Sequence, residues 1–347
     1  MKTPQRLTAR DFLDATGTPL RRPVVYLDWS TLSDAFPTAD GATGHDGAAL
    51  TELTELVAEI ARSGTLCFSI AHLIELIAMR PREAALARAQ WLDRLEHAWV
   101  NISNAEKSEL IDAVRRQLGL TSAAARAPVH HPMSASIINS LTKQTAAGIA
   151  DILSDPTTAG FVGKAHGRVE WEAPKEWSAD QFKRLHADRL NLPPGTTREE
   201  VHQKTFSNFT RGLKVTARAA IHSEPVIVGE PLLTDEQIDA AVDRLLDDRS
   251  SLPMNRIVQQ AWRGAGDRIT NQSIASKKFS SRYGSLLWDL RHLVAGGFAD
   301  IFTCDHFVEK ILADFRTQRG LPKQLSIGGC GDLTGFVAAL RRQVEAG

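Results

Sequence analysis

The sequence predicts an α/β fold built on a parallel sheet of about five strands that is flanked by helices. Short apolar segments alternate with amphipathic helical segments over residues 20–118, and the same alternation returns from residue 283 to the end. The apolar segments lack a polar residue at every second position, which is typical of strands buried on both faces. Alternating strands and helices favour parallel pairing, because each helix carries the chain back across the sheet.

The individual elements follow in order along the two parts. In the first part, strands are predicted at 22–28, 65–69 and 98–102. Helices are predicted from Ser30, over 50–64, 70–80 and 82–97, and after a capping box at Ser103-x-x-Glu106. In the second part, a helix from 283 ends before the Gly296-Gly297 pair, and the strands ADIFT and QLSIG precede the last two helices.

Residues 119–282 interrupt this alternation and are predicted to form a mostly α-helical insertion. Turns rich in proline and glycine separate segments that begin with capping boxes at Ser178, Thr197 and Thr234. The predicted domains are a discontinuous sheet domain at 20–118 and 283–347, the insertion at 119–282, and an N-terminal extension at 1–19.

The composition excludes several classes of protein. The 347 residues contain 41 Lys plus Arg and 41 Asp plus Glu, so there is no overall basic excess of the kind that binds nucleic acid without specificity. The three cysteines have no paired spacing, which argues against a disulfide framework and against zinc fingers. No segment approaches the roughly 18 apolar residues of a membrane span, and the N-terminal segment lacks the apolar centre of a signal peptide. We therefore expect a cytoplasmic protein without a membrane partner.

Four acidic residues lie where an apolar strand ends or an apolar helix is interrupted: Asp28, Glu75, Asp289 and Asp305. Ligands of open α/β sheets bind outside the carboxyl ends of the strands, and Asp28 and Asp305 lie at such ends. If the four carboxylates converge, their mutual repulsion requires bound cations. An aspartate before a helix is commonly an N-cap, but Ser30 can supply that cap, so Asp28 is interpreted as a metal ligand.

Three further side chains are candidates for the same site. His292 lies one turn after Asp289 and is a candidate to orient that carboxylate or a substrate phosphate, although a lone histidine at a helix boundary is more often structural. Ser30 and Thr303 are hydroxyls next to the strand-end acids and are suited to hydrogen-bond a carboxylate or a metal-bound water. Asp300 is excluded, because it lies at the opposite end of its strand.

Other motifs have simpler explanations. The glycine-rich run before Asp332 lacks the Lys-Ser/Thr ending of a phosphate-binding loop, so Asp332 is expected to cap the final helix. The His130-His131 pair has no further ligands at useful spacing. Basic residues in 201–222 and 256–282, with aromatic residues nearby, can neutralise phosphates and stack bases, but a solvated helix face explains them equally well.

These segments together resemble the PIN-domain nucleases, in particular PIN-like proteins with a D-x-x-H variant. The similarity rests on VVYLDWSTL, on the isolated glutamate of SIAHLIEL, and on the D-x-x-H and T-x-D motifs of WDLRHLVAGGFADIFTCDHF. It covers roughly residues 20–118 and 283–345. The resemblance implies that the metal ligands are Asp28, Glu75, Asp289 and Asp305. The chain departs from the family in having Trp29-Ser30 after the first aspartate and in carrying the long insertion.

The resemblance implies a metal-dependent hydrolase of phosphodiester bonds, most simply an endoribonuclease that uses Mg²⁺ or Mn²⁺ at a four-carboxylate site, and such hard cations suit oxygen ligands. The implied partners are an RNA substrate, with DNA as the alternative, a protein regulator such as an antitoxin, and a second copy of the chain in a homo-oligomer. Two other functions stay open. One is a haloacid-dehalogenase-like phosphohydrolase, suggested by D-x-S-T-L although Ser30 stands where that family has a second aspartate. The other is a non-catalytic PIN-like RNA-binding scaffold.

Overall fold

The structure is a computed structural model, and its description covers part of the chain. The described residues are 20–37, 47–79, 81–100, 102–120, 129–130, 149–154, 164–165, 168–169, 196–223, 232–248, 251–252, 255–256, 259, 289, 292–293, 296, 299–304, 309, 327–328 and 332–346. Asp305, the predicted capping box at Ser178, and the N-terminal extension at 1–19 lie outside the described residues.

Strands and helices alternate through the described residues. The strands are β1 (Val24–Tyr26), β2 (Thr65–Ser69), β3 (His97–Val100), β4 (Val129–His130), β5 (Lys164–Ala165), β6 (Arg168–Val169), β7 (Ile301–Cys304) and β8 (Ile327–Gly328). The helices are α1 (Trp29–Asp34), α2 (Gly47–Ser63), α3 (Ile70–Ala78), α4 (Arg82–Leu92), α5 (Ile102–Gln117), α6 (Ile149–Ser154), α7 (Arg198–Ser223), α8 (Asp235–Asp247) and α9 (Leu333–Ala346). Asp289, His292, Leu293 and Gly296 are also helical.

β1 lies inside a sheet with the strand order β4-β3-β2-β1-β7-β8. The adjacent strands β3, β2, β1 and β7 are parallel to one another, and Val25 pairs with Leu66 on one side and with Ile301 on the other. The two-residue strands extend this sheet, β8 in parallel and β4 antiparallel. The predicted α/β class with a parallel sheet flanked by helices is confirmed, whereas the number of strands, the PIN-like form and the helical insertion stay predictions.

The chain order of the strands reverses between β1 and β7. From β1 the chain extends the sheet in one direction through β2 and β3, and β7 later adds on the other side of β1. At such a reversal, the connections that follow the two neighbouring strands run in opposite directions, so a crevice opens outside their carboxyl ends. The carboxyl ends of β1 and β7 are therefore the position at which a sheet of this order is expected to bind a ligand.

Two hydrophobic clusters hold the described helices in place. The larger one packs side chains of α1, α2, α3, α4, α6 and α9 against the sheet around the fully buried Phe68 and Trp99. The second joins α5, α7 and α8 around Val114, Ala217 and Val242. α6 lies within 119–282 in sequence and packs on α3 and α4, while α5 of the first part packs on α7 and α8. The division into domains stays a prediction.

Helix boundaries differ from the predictions where distant residues intervene. α4 ends at Leu92 rather than near residue 97. The carboxylate of Asp93, just after α4, accepts hydrogen bonds from the backbone amides of Ile149 (2.6 Å) and Ala150 (2.9 Å) at the start of α6. α5 begins at Ile102, so Ser103 is not its N-cap. The capping boxes at Thr197 and Thr234 are confirmed. Among the described helices, none is long and apolar enough to cross a membrane.

Candidate functional site

Asp28 follows β1 and is the N-cap of α1. Its backbone is extended and its carboxylate is buried, with 6% of the residue exposed. The Oδ1 atom accepts hydrogen bonds from the amide (3.2 Å) and the hydroxyl (2.6 Å) of Thr31, and Oδ2 accepts one from the Ser30 hydroxyl over 2.7 Å. The expectation that Ser30 caps this helix is wrong, because α1 already begins at Trp29 and an N-cap needs a non-helical backbone.

Thr303 links β7 to Asp28 across the reversal of the strand order. Its hydroxyl is fully buried, accepts a hydrogen bond from the Asp28 amide over 2.9 Å, and lies 3.0 Å from Asp28 Oδ1. The hydroxyls of Thr31 and Thr303 are also 3.0 Å apart. Three hydroxyl groups therefore surround one carboxylate at the carboxyl ends of β1 and β7.

The described hydrogen bonds to Asp28 all come from neutral groups. A buried carboxylate is costly unless its charge is compensated, and hydroxyls and amides orient it without neutralising it. The effect of this charge extends to Asp34, whose pKa is raised by burial and, next, by the charge of Asp28. A cation beside Asp28 would lower the electrostatic cost of both carboxylates.

A second group of polar side chains lies beside β1. His292 contacts Glu75 Oε2 through Nε2 over 3.0 Å and the Tyr26 hydroxyl through Nδ1 over 2.6 Å. The Tyr26 hydroxyl in turn lies 2.7 Å from Ser69 Oγ. Tyr26 and Ser69 are fully buried, His292 is 4% exposed, and Glu75 is half-buried. His292 had been expected to orient Asp289 or a phosphate, and the structure bonds it to Glu75 and Tyr26.

Tyr26 interacts electrostatically with both polar groups, the one around Asp28 and the one that contains Glu75. Burial raises its pKa well above the usual value, and the charges of Glu75 and Asp28 raise it further, although the hydrogen bond with Ser69 opposes this. Both carboxylates therefore act on one buried hydroxyl. Asp289 is helical and half-buried, three residues before His292, so the two lie on the same side of their helix.

His72 is part of the capping box at the N-terminus of α3, and its side chain is buried next to the same site. The Ser69 amide donates to His72 Nδ1 over 3.0 Å, and Ser69 Oγ accepts from the Ala71 amide over 3.2 Å, which makes a capping box. His72 Nε2 lies 2.7 Å from the carbonyl oxygen of Leu27, so Nε2 carries the hydrogen. Burial and, next, the charge of His292 lower the His72 pKa well below its usual value.

The helix that carries Asp289 and His292 packs closely on β7. A Cβ atom added to Gly296 would lie 2.3 Å from Cδ2 of Phe302, whose ring is buried. Gly296 is helical, one residue beyond the predicted end near 295, and residues 297 and 298 lie outside the described residues. The missing side chain of Gly296 allows its close approach to the Phe302 ring.

Gly296→Ala is expected to destabilise the protein by about 1–3 kcal/mol, because the added methyl group overpacks the contact with Phe302. Gly212→Ala in α7 is the matched control, since a Cβ at that position meets no described atom within 4 Å. Alanine favours a helix over glycine by about 1 kcal/mol, so the control is expected to be neutral or stabilising. Thermal unfolding measures both, and a stabilised Gly296→Ala variant would contradict the close packing.

The predicted site residues differ in how far the structure describes them. Asp28, Ser30 and Thr303 form one group, and Glu75 and His292 form a second. Asp305 directly follows β7 in the sequence but lies outside the described residues. Within the described part of the chain, no group of three or more His, Cys, Asp or Glu side chains is arranged to hold a metal ion.

Sequence reasoning missed four residues of this region: Tyr26, Thr31, Ser69 and His72. Tyr26 was read only as part of an apolar strand, although a hydroxyl in a strand buried on both faces needs a polar partner. His72 occupies the third position of a capping box, where glutamate and glutamine are usual. The pattern Ser69-x-x-His72 was the signal that could have identified it.

The excluded acids have structural partners. Asp300 accepts a hydrogen bond from the Val24 amide over 2.8 Å and pairs with Arg22 at the opposite end of β1. Asp332 precedes α9 and accepts a hydrogen bond from the Gly335 amide over 3.0 Å, as expected of a cap. Both acids are explained without a ligand.

The basic cluster at 201–222 lies on α7 and faces acids from α8. Lys214 bonds Asp243 over 2.8 Å, and Arg218 bonds Asp239 over 2.7 Å and Asp235 over 3.3 Å. These ion pairs favour a solvated, charge-paired helix face for Lys214 and Arg218 over a surface that neutralises phosphates. Most of the second basic cluster, at 256–282, lies outside the described residues.

Comparison with known proteins adds no family to these observations. No family model matches the chain, and neither a curated protein nor a solved structure matches it.

Proposed function

We propose that the chain is a metal-dependent nuclease, an endoribonuclease whose cation lies at the carboxyl ends of β1 and β7. The observation that carries this proposal is Asp28, a buried carboxylate at the reversal of the strand order, whose described hydrogen bonds all come from neutral groups. This is the position at which open α/β sheets bind ligands. The choice of RNA over DNA comes from the resemblance to PIN-domain nucleases.

Carboxylate oxygens suit a hard cation, although Asp28, Glu75 and Asp289 are not arranged as a metal-holding group among the described residues. Asp28, Glu75, Asp289 and Asp305 would hold it, and carboxylate oxygens are the ligands that Mg²⁺ and Mn²⁺ prefer. A bound cation of this kind would activate water and stabilise the leaving 3′ oxygen, which gives 5′-phosphate and 3′-hydroxyl products. The hydroxyls of Ser30 and Thr303 orient the Asp28 carboxylate, and His292 orients that of Glu75.

A non-catalytic protein is the alternative that a specific observation favours. Asp28 caps α1, and a cap explains the position of this aspartate without a metal. A scaffold of this kind would bind RNA without cleaving it.

The test is incubation of the purified chain with labelled RNA, single-stranded DNA and double-stranded DNA, each with Mn²⁺ or with EDTA. We expect RNA cleavage with Mn²⁺ and none with EDTA. Asp289→Asn is expected to lower the rate about 100-fold, because it removes one carboxylate charge from the site. Asp247→Asn, an exposed position on α8, is the matched control and is expected to keep full activity.

Cleavage that persists in EDTA, or full activity of Asp289→Asn, would contradict the nuclease proposal. Tight RNA binding without cleavage under every metal condition would favour the scaffold instead.

A further inference from the structure

The imidazole ring of His292 is held at both of its nitrogen atoms. Nε2 lies 3.0 Å from Glu75 Oε2, and Nδ1 lies 2.6 Å from the Tyr26 hydroxyl. An ionised carboxylate only accepts hydrogen bonds, so Nε2 carries the hydrogen of the first contact. A ring that is fixed at two opposite atoms cannot turn, and the direction of the bond to Glu75 is fixed with it.

The other end of this chain of hydrogen bonds is anchored on the backbone. The Tyr26 hydroxyl bonds Ser69 Oγ over 2.7 Å, and Ser69 Oγ accepts a hydrogen bond from the Ala71 amide over 3.2 Å. Ser69 is the N-cap of α3, and Glu75 lies on the same helix. This series of hydrogen bonds therefore begins at the N-cap of α3 and ends at Glu75 on the same helix. Between them it passes through Tyr26 of β1 and through His292.

We propose that Tyr26 and His292 are positioning residues that hold the Glu75 carboxylate toward the cation of the proposed nuclease site. The inference rests on the proposed function. Tyr26 is fully buried, so it does not touch a substrate and acts through its bonds to His292 and Ser69. The carboxylate ligands of metal sites are themselves held by hydrogen bonds from outer groups, and loss of such a partner costs about 10–100-fold in metal affinity.

The test is Tyr26→Phe, which removes one hydroxyl and leaves the buried ring. We expect about tenfold weaker Mn²⁺ binding by calorimetry, the same increase in the Mn²⁺ concentration for half-maximal cleavage, and an unchanged KM for RNA. Thr65→Val is the matched control, because it also removes a buried hydroxyl, one that donates to the Arg21 carbonyl over 2.7 Å at the other end of β2. The control is expected to lose thermal stability without a change in Mn²⁺ binding.

A readout on the metal-free protein tests the contact itself. The proton on His292 Nε2 is expected to give a sharp ¹H–¹⁵N NMR signal in the wild type and a broadened one in Tyr26→Phe. Equally sharp signals, or equal Mn²⁺ affinity of wild type and Tyr26→Phe, would overturn the inference and leave the nuclease proposal standing. A wild-type chain that binds no Mn²⁺ would overturn both.

Discussion

Asp28→Asn is expected to lower metal-dependent cleavage by about 1,000-fold, or roughly 4 kcal/mol in the transition state, while the protein stays folded. Asparagine has the shape of aspartate and is an equally good N-cap, so its Oδ1 can still accept the hydrogen bond from the Thr31 amide. Its amide group can donate to the Ser30 hydroxyl, which rotates to accept. Only the negative charge is removed. The cleavage rate and the melting temperature are the two measurements.

Asp332→Asn is the matched control for this variant. It makes the same change at the N-cap of α9, where one carboxylate oxygen accepts a hydrogen bond from the Gly335 amide. Both variants are expected to melt close to the wild type, and only Asp28→Asn is expected to be inactive. If Asp28→Asn cleaves RNA as fast as Asp332→Asn does, Asp28 is a helix cap and the proposed site is wrong.

Stability is expected to fall below about pH 6.5 because His72 binds a proton more weakly in the folded state than in the unfolded chain. Its pKa is lowered by burial and by His292, so the unfolded chain binds a proton there that the folded chain does not. Stability is therefore full above pH 6.5 and falls by about 1.4 kcal/mol per pH unit as the pH decreases, until the pH reaches the folded pKa.

His72→Gln isolates this contribution from the other titrating groups. Glutamine is a usual residue at this position of a capping box and can still accept from the Ser69 amide, but it does not titrate. Urea unfolding of both proteins between pH 7 and pH 4.5 gives the free energy of unfolding at each pH, and the slopes of the two curves against pH are compared. Parallel stability curves for the wild type and His72→Gln would show that His72 is protonated in the folded state.

The sequence was informative where a signal is local. β2 was predicted at its observed bounds, because the short strand-like run TLCFS lies between Gly64 and the apolar helical segment that begins at residue 70. The end of α4 was not predicted, since Asp93 leaves the helix to bind the amides of α6, more than 50 residues away in sequence. The close contact of Gly296 with Phe302 was not predicted, because helical periodicity does not show which strand residue lies beside the glycine.

For the candidate site, the sequence indicated which charged residues to consider and not which contacts they make. The strand-end position identified Asp28, but the sequence offered Ser30 as an equal cap, and only the backbone at α1 decides between them. The partner of His292 was expected three residues away at Asp289, where helical spacing points. Glu75, which His292 contacts, is more than 200 residues distant in sequence, and helical periodicity holds no information about that contact.

The most direct test of the proposed cation site is to locate bound Mn²⁺ on the protein. Paramagnetic Mn²⁺ broadens the NMR signals of nearby amides, so a substoichiometric addition reports the position of the ion without any substrate. We predict that the amides of Asp28, Thr31 and Thr303 broaden first in the wild type, that the amide of Asp300 at the opposite end of the sheet broadens less, and that Asp28→Asn abolishes the effect. Broadening that is equal at the two ends of the sheet, or that persists in Asp28→Asn, would contradict a cation site at the carboxyl ends of β1 and β7.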